Sequence, residues 1–237
     1  MTWSIIARDE ATGRVGIIAA DTSLACGAHM IRIATGVGAI ASQGLLNPLL
    51  GPQGLALLRA GASAADAARL LMAADEGRAY RQLHVMDADG QLAQHTGEAC
   101  AQWCGHEAHS HISVAGHDLA GPEVVAATIK AYADNSGTAF ARRLIAAMLA
   151  GEAPGGNRGG KQSAALVVHD REEYALLDLR VDNHADPLAE LFRLEAIARE
   201  RWLHFRRTLP SGARPAGLTD PAGIEDEIAK SMAEGYA

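Results

Sequence analysis

Alternation of apolar and polar side chains marks the start of the chain as a β-hairpin. Residues 3–8 alternate as in a strand, and the turn chemistry of residues 9–13 leads into an apolar run over 15–20. That second run, Val-Gly-Ile-Ile-Ala-Ala, is apolar on both faces. Since a strand of this kind is buried on both sides, the pattern predicts sheets layered with helices.

Further strands and helices follow from the same kind of pattern. Asp87-Ala88-Asp89-Gly90 is a strong turn signal between two short strands, and Ser63 with Asp66 resembles a capping box. The other predicted elements are a strand over 36–42, helices over 52–60 and 64–74, strands over 81–87 and 92–96, helices within 122–149 with a break near 135–137, strands over 163–169 and 174–181, a helix from 186 or 187 to about 207, and a last helix over 221–234.

This order of elements predicts an α+β fold. Hairpins in groups, separated by pairs of helices, indicate two mostly antiparallel sheets covered by helices. Strict alternation of strand and helix is absent, which disfavours a doubly wound parallel sheet. No repeat with a period of roughly 20–50 residues indicates a solenoid. A Pro- and Gly-rich segment at 210–221 is typical of a linker, so we expect a body over 1–208 and a tail over 209–237 with a C-terminal helix.

Composition and charge disfavour several classes of protein. Of the 237 residues, 49% are hydrophobic and 21% are charged, which argues against intrinsic disorder. The formal net charge of −7 and the lack of a basic arm disfavour nucleic-acid binding. No apolar run approaches the roughly 20 residues of a membrane span, and no signal peptide is visible. Three cysteines suit a reducing compartment, so we expect a cytoplasmic protein.

Thr2 is the first candidate for chemistry. If Met1 is removed, Thr2 carries a free α-amine beside its hydroxyl. An α-amine has a pKa of about 7.7–8.0, so near neutral pH it can take the hydroxyl proton and make one residue both nucleophile and base. Many chains begin Met-Thr, and the alternative is that Thr2 has no chemical role. Ser4, on the same strand, is an alternative nucleophile.

Two charged residues follow the hairpin. Asp21 ends the second strand, where a carboxylate either caps the next turn or orients a catalytic group. Arg32 lies eleven residues further on, and a cation beside an amine lowers the pKa of that amine and favours its neutral form. The alternative is a structural Asp–Arg pair.

Segment 42–48, Ser-Gln-Gly-Leu-Leu-Asn-Pro, passes from a strand towards a helix. Backbone N–H groups at Gln43-Gly44 are suited to an oxyanion hole, because glycine lets a substrate approach closely. Gln43 and Asn47 place polar amides in apolar surroundings. The alternative is ordinary capping of the strand end.

Thiol and imidazole groups are concentrated in segment 100–111, which holds Cys100, Cys104, His106, His109 and His111. Zinc binds both kinds of ligand. The spacing matches none of the common structural zinc patterns, so a metal site and a histidine-rich loop both stay open.

Motifs along most of the chain resemble a known family. They are Thr2 to Asp9, Gly36 to Ala39, Gln43, Asn47-Pro48, Gly51 to Gly54, His95 to Gly97, Cys100, Trp103, Gly105-His106, Ala120 to Val124, Gln162 to Ala164 and Asp178 to Asp182. In this order, over residues 2–195, the chain resembles the domain-of-unknown-function 1028 family. The resemblance implies a four-layer αββα sandwich of the N-terminal-nucleophile-hydrolase type. Members are often encoded near enamine/imine deaminases and amidohydrolases, which implies catabolism of small nitrogen compounds.

A looser likeness connects the start of the chain to proteasome β-type subunits. Thr2 leads a strand as their catalytic Thr does, Ile17 to Asp21 is similar to the strand and Asp that follow it, and Arg32 falls roughly where their catalytic Lys lies. Arginine stays charged and cannot shuttle a proton. Within the family, Ser is common at the position of Asp21, and Gly-Asn is expected where this chain has Gly116-His117.

Together the sequence predicts a hydrolase of an amide-type C–N bond in a small nitrogen-containing metabolite. Thr2 is the expected nucleophile, with Asp21 and Arg32 tuning it and Gly44 at the oxyanion hole. The expected substrate-binding residues are Ser4, Gln43, Asn47, His95, His106 and His117.

No cofactor is expected, and the expected partners are a small-molecule substrate and further copies of the chain, with no nucleic acid and no membrane. Two alternatives stay open. One is a catalytically silent protein of the same fold that binds a ligand or a partner. The other is a metal-dependent hydrolase that uses Cys100, Cys104, His106 and His109.

Overall fold

A computed structural model of the protein describes residues 2–235. Met1, on whose removal the Thr2 mechanism depends, lies outside the described residues. The strands are β1 (Thr2–Arg8), β2 (Val15–Asp21), β3 (Ile31–Ala34), β4 (Gly38–Gly44), β5 (Arg81–Asp87), β6 (Leu92–Thr96), β7 (Cys104–His109), β8 (Ile112–His117), β9 (Ser163–His169) and β10 (Leu177–Val181).

Helices lie between these strands and after them. The helices are α1 (Cys26–His29), α2 (Leu50–Arg59), α3 (Ala64–Ala74), α4 (Pro122–Asp134), α5 (Phe140–Glu152), α6 (Pro187–Ile197), α7 (Leu203–Phe205) and α8 (Pro221–Glu234). A 3-10 turn at Arg78–Tyr80 precedes β5, and a π-helical turn at Ala198–Trp202 joins α6 to α7. A second 3-10 turn, Arg206–Thr208, follows α7.

Two antiparallel sheets form the centre of the molecule. The first sheet has the strand order β10-β9-β2-β1-β8-β7, and the second has the order β3-β4-β5-β6. Every strand pair within them is antiparallel, so the fold is α+β, as the grouping of hairpins predicts. Strand β1 is central in the first sheet, with β2 on one side and β8 on the other.

The sheets and helices stack in four layers. Helices α4, α5 and α6 pack on the outer face of the first sheet around an apolar core that includes Trp3, Ile5 and Leu144. Helices α2 and α3 pack on the outer face of the second sheet around Ile40 and Leu83. Because side chains alternate along a strand, the neighbouring residues of β1 and β4 point into the space between the sheets. The architecture is therefore an αββα sandwich.

The space between the sheets is apolar in one part and polar in another. Small and aliphatic side chains fill the apolar part, among them Ile6, Ile17, Ala41 and Met86. The polar part holds fully buried side chains on β1, β4, β5 and β8, namely Ser4, Gln43, Gln82, His84 and Ser113. Buried polar groups of this kind must find hydrogen-bond partners, and they do so across the gap between the sheets.

Most predicted elements are confirmed within a few residues. The hairpin over 81–87 and 92–96, the helix over 64–74, the strand over 163–169 and the last helix over 221–234 have the predicted bounds. The predicted strand over 36–42 begins two residues later, at Gly38, and the strand over 174–181 begins at Leu177.

Four elements were not predicted, namely α1, β3, β7 and β8. Strand β3 has only four residues, too few for a periodic signal. Strand β7 is an edge strand whose side chains are mostly exposed, so its Cys- and His-rich sequence shows no apolar alternation. Strand β8 is buried, but it is built from small residues with Ser, Gly and His among them. Segment 104–117 is therefore a hairpin of the first sheet.

The C-terminal helix packs on the segment that follows α6. Ile228 is buried there, and Ser231 lies 2.8 Å from the imidazole of His204. Arg207 forms ion pairs with Glu227 and Glu234 of α8. The helix is thus held by the buried side chain of Ile228 and by several polar contacts. Within residues 2–235, no helix has both the length and the apolar character that crossing a membrane requires.

Candidate active site

A row of polar side chains crosses one end of the first sheet. The register of β1 places Thr2 directly opposite Asp21 of β2 and directly opposite His117 of β8. Pairing continues outwards from His117 to Cys104 on β7 and from Asp21 to Ser163 on β9. Directly paired residues share a face of the sheet, so all five side chains lie on the same side.

This row faces the second sheet. Along β1, Trp3 and Ile5 belong to the outer core, whereas Ile6 belongs to the apolar cluster between the sheets. Thr2 and Ser4 alternate with the outward residues and therefore point inwards with Ile6. The candidate nucleophile thus lies at the end of the inter-sheet space rather than beneath the helices.

The hydroxyl of Thr2 donates a hydrogen bond to Oδ2 of Asp21. The other carboxylate oxygen of Asp21 accepts from the backbone N–H of Ser23 at 2.5 Å and from the Ser23 hydroxyl. Thr2 is 2% exposed and Asp21 is 4% exposed. The turn after β2 therefore fixes the carboxylate, and the carboxylate fixes the direction of the Thr2 hydroxyl.

His117 lies on the other side of Thr2 and has a polar atom without a hydrogen-bond partner. It is 7% exposed, and its Nδ1 is buried with no hydrogen-bond partner. Burial lowers the pKa of the imidazole to about 4, although the carboxylates of Asp21 and Asp118 act in the opposite direction. At neutral pH, His117 is therefore an uncharged imidazole at the position paired with Thr2.

Ser4 is held in a hydrogen-bonded chain between the sheets. Its hydroxyl donates to Oε1 of Gln43 at 2.7 Å and lies 2.9 Å from Nε2 of His84. A hydroxyl has one proton, so His84 must donate to Ser4 and its Nδ1 must accept from Ser113, 2.8 Å away. His84 is fully buried, and burial lowers its pKa to about 3. Its Nε2 therefore carries the proton and cannot act as a base towards Ser4.

The chain of hydrogen bonds continues from Gln43 to the edge of the molecule. The amide nitrogen of Gln43 donates to Oε1 of Gln82 at 2.6 Å and to the carbonyl of Ala115 at 3.0 Å. Gln82 donates in turn to the hydroxyl of Thr96 at 2.9 Å, which lies 2.7 Å from Nδ1 of His106. The side chain of Gln43 is thus fully engaged between the two sheets.

Gly44 and Asn47 shape the turn that leaves β4. Gly44 has a φ of +85°, and a Cβ there would lie 2.5 Å from the carbonyl oxygen of Tyr80. Asn47 donates to Asp75 at 3.1 Å and accepts from the backbone of Leu49 at 3.1 Å. Since Asp75 also pairs with an arginine of β5, Asn47 belongs to a structural cluster at the end of the strand.

Arg32 is not brought together with Thr2. Its neighbour Ile31 belongs to the cluster between the sheets, so the Arg32 side chain leaves the opposite face of β3. The stem packs near Gly51 of α2, and the guanidinium donates to the carbonyl oxygens of Ile31 at 2.6 Å and Ala28 at 2.9 Å. Arg32 therefore braces the α1–β3 turn.

The predicted histidine and cysteine positions lie along β6, β7 and the loop before β7. His95 contacts the carbonyl of Arg78 at 3.0 Å, and burial, then the nearby His95, lowers the pKa of His106. Cys100 and Cys104 are free thiols that donate to backbone carbonyls. Among residues 2–235, no group of three His, Cys, Asp or Glu side chains is arranged to hold a metal ion.

Sequence reasoning missed three residues of this region. Gln82 and His84 alternate with the apolar Leu83 and Val85, and Ser113 stands between Ile112 and Val114. The available signal was polar residues at every second position of an otherwise apolar strand, which indicates a polar layer facing another sheet. The missed residues are Gln82, His84 and Ser113.

Comparisons with known proteins show that the chain is similar to one protein family and to several solved structures. The model of DUF1028, a family of unknown function, matches residues 2–191. The crystal structure of protein SPO2555 from Silicibacter pomeroyi, described with the same family model, is 32% identical with a TM-score of 0.83, and the match covers 92% of this chain and 99% of that one. No curated protein matches the chain.

Two further solved structures are less similar to this chain. A mutant of Anbu from Hyphomicrobium sp. strain MC1 is 12% identical with a TM-score of 0.41, over 85% of this chain and 97% of that one. Anbu from Yersinia bercovieri, described as an ancestral beta-subunit, is 10% identical with a TM-score of 0.42, over 88% of this chain and 98% of that one.

Proposed function

The chain belongs to DUF1028, a family of unknown function, and we propose that this member hydrolyses an amide-type C–N bond in a small nitrogen-containing metabolite. The observation that carries the proposal is the position of Thr2. Thr2 is the first residue of the central strand, and its hydroxyl donates a hydrogen bond to the carboxylate of Asp21. The turn after β2 holds that carboxylate in place. The proposal concerns the form of the protein in which Thr2 is the first residue.

In that form, Thr2 supplies both the nucleophile and the base. Its Oγ attacks the substrate carbonyl carbon, and the neutral α-amine takes the hydroxyl proton. The C–N bond then breaks, and the nitrogen leaves with that proton as an amine. A water molecule hydrolyses the resulting ester on Thr2, which releases a carboxylic acid and restores the hydroxyl. The only co-reactant is water.

Neighbouring groups support this role. Asp21 accepts the hydrogen bond that orients the hydroxyl, and it can stabilise the positive charge that the amine gains. The Gln43 side chain contacts Ser4, two residues along β1 from Thr2, and this supports the backbone N–H of Gly44 as the oxyanion donor. Arg32 has no part in this mechanism, because its side chain leaves the far face of the second sheet.

Burial of Thr2 supports a second candidate function. The side chain is 2% exposed in the whole chain, so a substrate cannot reach the hydroxyl without a change at this end of the sheet. A protein that keeps Met1 would then be a catalytically silent member that binds a small ligand or a partner. The two candidates differ in one measurable property, which is turnover by the form that begins at Thr2.

Substitution of Thr2 tests the proposal. Intact-mass measurement first identifies protein that begins at Thr2, and a panel of linear and cyclic amides and ureides then supplies a substrate. Thr2→Ala should lower kcat by about a thousandfold or more, because the nucleophile is lost, whereas Thr2→Ser should stay within about tenfold.

Thr12→Ala is the matched control. Thr12 also donates to an aspartate, Asp9, but it is exposed at the opposite end of the same hairpin. Its removal should leave kcat unchanged. Undiminished turnover by Thr2→Ala would contradict the proposal, and so would full activity of protein that retains Met1.

A further inference from the structure

Thr2 has a second neighbour that the N-terminal-nucleophile reaction does not by itself require. His117 is the direct cross-strand partner of Thr2 on β8, on the side away from Asp21. Side chains in such pairs have Cβ atoms roughly 4.5–5.5 Å apart, within reach of one small substrate group. A group bound to the Thr2 hydroxyl therefore lies within reach of this imidazole.

The imidazole has an unused hydrogen-bonding atom. Its Nδ1 is buried without a partner, and the residue as a whole is 7% exposed. Buried side-chain nitrogens in folded proteins normally have a partner, so an unpartnered one beside a nucleophile marks a position for a ligand atom. By contrast, His84 nearby has both ring nitrogens within hydrogen-bond distance of serine hydroxyls, Ser4 and Ser113.

Burial keeps the ring of His117 uncharged, against the effect of the nearby carboxylates. Asp21 and Asp118 are the carboxylates that act on it, and the Cys104 thiol is its cross-strand neighbour on β7. Burial, and after it the positive charge of the N-terminal amine, outweighs both carboxylates and lowers the pKa of the ring. An uncharged imidazole has one N–H and one lone pair, so it can accept a proton on one nitrogen while it releases one from the other.

We propose that His117 relays the proton from the Thr2 α-amine to the leaving nitrogen of the substrate, a role that rests on the proposed function. As Oγ of Thr2 bonds to the carbonyl carbon, its proton passes to the α-amine. The imidazole takes that proton on one ring nitrogen and gives the proton of its other ring nitrogen to the departing amine. The ring ends uncharged in its other tautomer. Hydrolysis of the ester runs the relay in reverse, since a proton of the attacking water returns through the ring and restores the first tautomer.

The relay makes a specific prediction about leaving groups. An amine must be protonated as it leaves, whereas p-nitrophenolate leaves without a proton. In protein that begins at Thr2, His117→Asn should therefore lower kcat/KM for an amide by about a hundredfold. It should lower kcat/KM for the p-nitrophenyl ester of the same acyl group by less than about threefold.

Two further variants make the test decisive. His117→Ala leaves a space at the position paired with Thr2. Added imidazole should raise the amide activity of this variant at least about tenfold. His29→Asn is the control, because His29 is an exposed histidine on α1 and should leave both rates unchanged.

Equal losses on the amide and the ester would overturn the relay and leave His117 a structural role. Full amide activity in His117→Asn would overturn it too, as would a failure of imidazole to restore His117→Ala. These failures differ from a failure of the proposed function, which shows as amide turnover by Thr2→Ala. That last result would remove the premise of the relay and overturn both proposals.

Discussion

Individual polar residues lie in different environments in this fold, as Thr2, Asp21 and His84 show. Thr2 and Asp21 lie at one end of a hairpin, so their pairing follows once the turn at residues 9–13 fixes the register. His84 is surrounded on all sides, and its two ring nitrogens connect Ser4 of the first sheet to Ser113. Thr2 and Asp21 lie at the end of the inter-sheet space, whereas His84 links side chains in its interior.

Protonation of His84 should make stability depend on pH. The folded-state pKa is about 3, lowered by burial from an ordinary value of 6.5. Between these two values the unfolded chain binds more protons than the folded chain, so stability is full above about 6.5 and falls as the pH falls. The loss should approach about 1.4 kcal/mol per pH unit for this one group. His117, with a pKa of about 4, acts in the same direction.

Urea unfolding at pH values of about 7, 6 and 5 checks this dependence in the native sequence and in His84→Gln. Glutamine can keep a hydrogen bond to Ser4 and to Ser113 but does not titrate. The free energy of unfolding should depend less steeply on pH in the variant, by the contribution of about one proton. Identical slopes in the two proteins would show that His84 is not the buried titrating group.

Single residues also show where sequence reasoning stops. The candidate role of Asp21 follows from its place at the end of a recognisable strand. The position of Arg32 depends on β3, a strand of four residues whose face is set only when it pairs with β4. A one-residue shift in such a strand moves a side chain to the other face, so the sequence alone cannot place Arg32 near Thr2 or away from it.

At the scale of elements, glycine at the end of β4 lets two parts of the backbone approach closely. Gly44 has a φ of +85°, and its missing Cβ leaves room for the Tyr80 carbonyl. That carbonyl accepts from the N–H of Leu45 at 2.9 Å, which closes the turn after the strand. The turn sets where the backbone of the proposed oxyanion site begins.

Gly44→Ala should destabilise the protein more than Gly13→Ala. Both glycines have positive φ, at +85° and +75°, but a Cβ at Gly13 would meet nothing within 4 Å. Left-handed backbone with a Cβ costs about 1–2 kcal/mol, which is the whole effect expected at Gly13. The contact with Tyr80 adds to that cost at Gly44, for a total of at least about 2 kcal/mol. Equal free energies of unfolding for the two variants in urea would contradict this account.

Strands were predictable where their two faces differ or where both are apolar. Strand β2 is apolar on both faces and was predicted, as was the hairpin of β5 and β6 with its Asp-Gly turn. Strands β7 and β8 were missed, because an exposed edge strand has no apolar alternation and β8 mixes small and polar residues. Missing that hairpin hid the fact that His117 is paired with Thr2.

At the scale of the whole molecule, two sheets meet through surfaces of different character. Apolar side chains fill one part of the contact, and a buried hydrogen-bonded chain fills the other. These hydrogen bonds join three strands of the first sheet, β1, β7 and β8, to three of the second, β4, β5 and β6. Sliding one sheet over the other would therefore leave several buried polar groups unpaired. The polar part therefore fixes how the sheets align and where β1 ends.

The C-terminal helix should be part of the same cooperative unit. Ile228 of α8 is 2% exposed, so Ile228→Ala should lower the free energy of unfolding by about 2–3 kcal/mol. Met232 on the same helix is 44% exposed, and Met232→Ala should change it by less than about 0.5 kcal/mol. Urea unfolding followed by tryptophan fluorescence reports on the body, where Trp3 is buried. An unchanged midpoint in Ile228→Ala would show that the helix does not stabilise the body.

The central claim is that Thr2 forms a covalent acyl intermediate, and mass spectrometry of the acylated protein tests it most directly. Protein that begins at Thr2 is mixed with a p-nitrophenyl ester, quenched in acid and digested. The account predicts one added acyl group, located on the Thr2 side chain of the N-terminal peptide and absent from Thr2→Ala. An acyl group found on another residue, or found equally in Thr2→Ala, would contradict it.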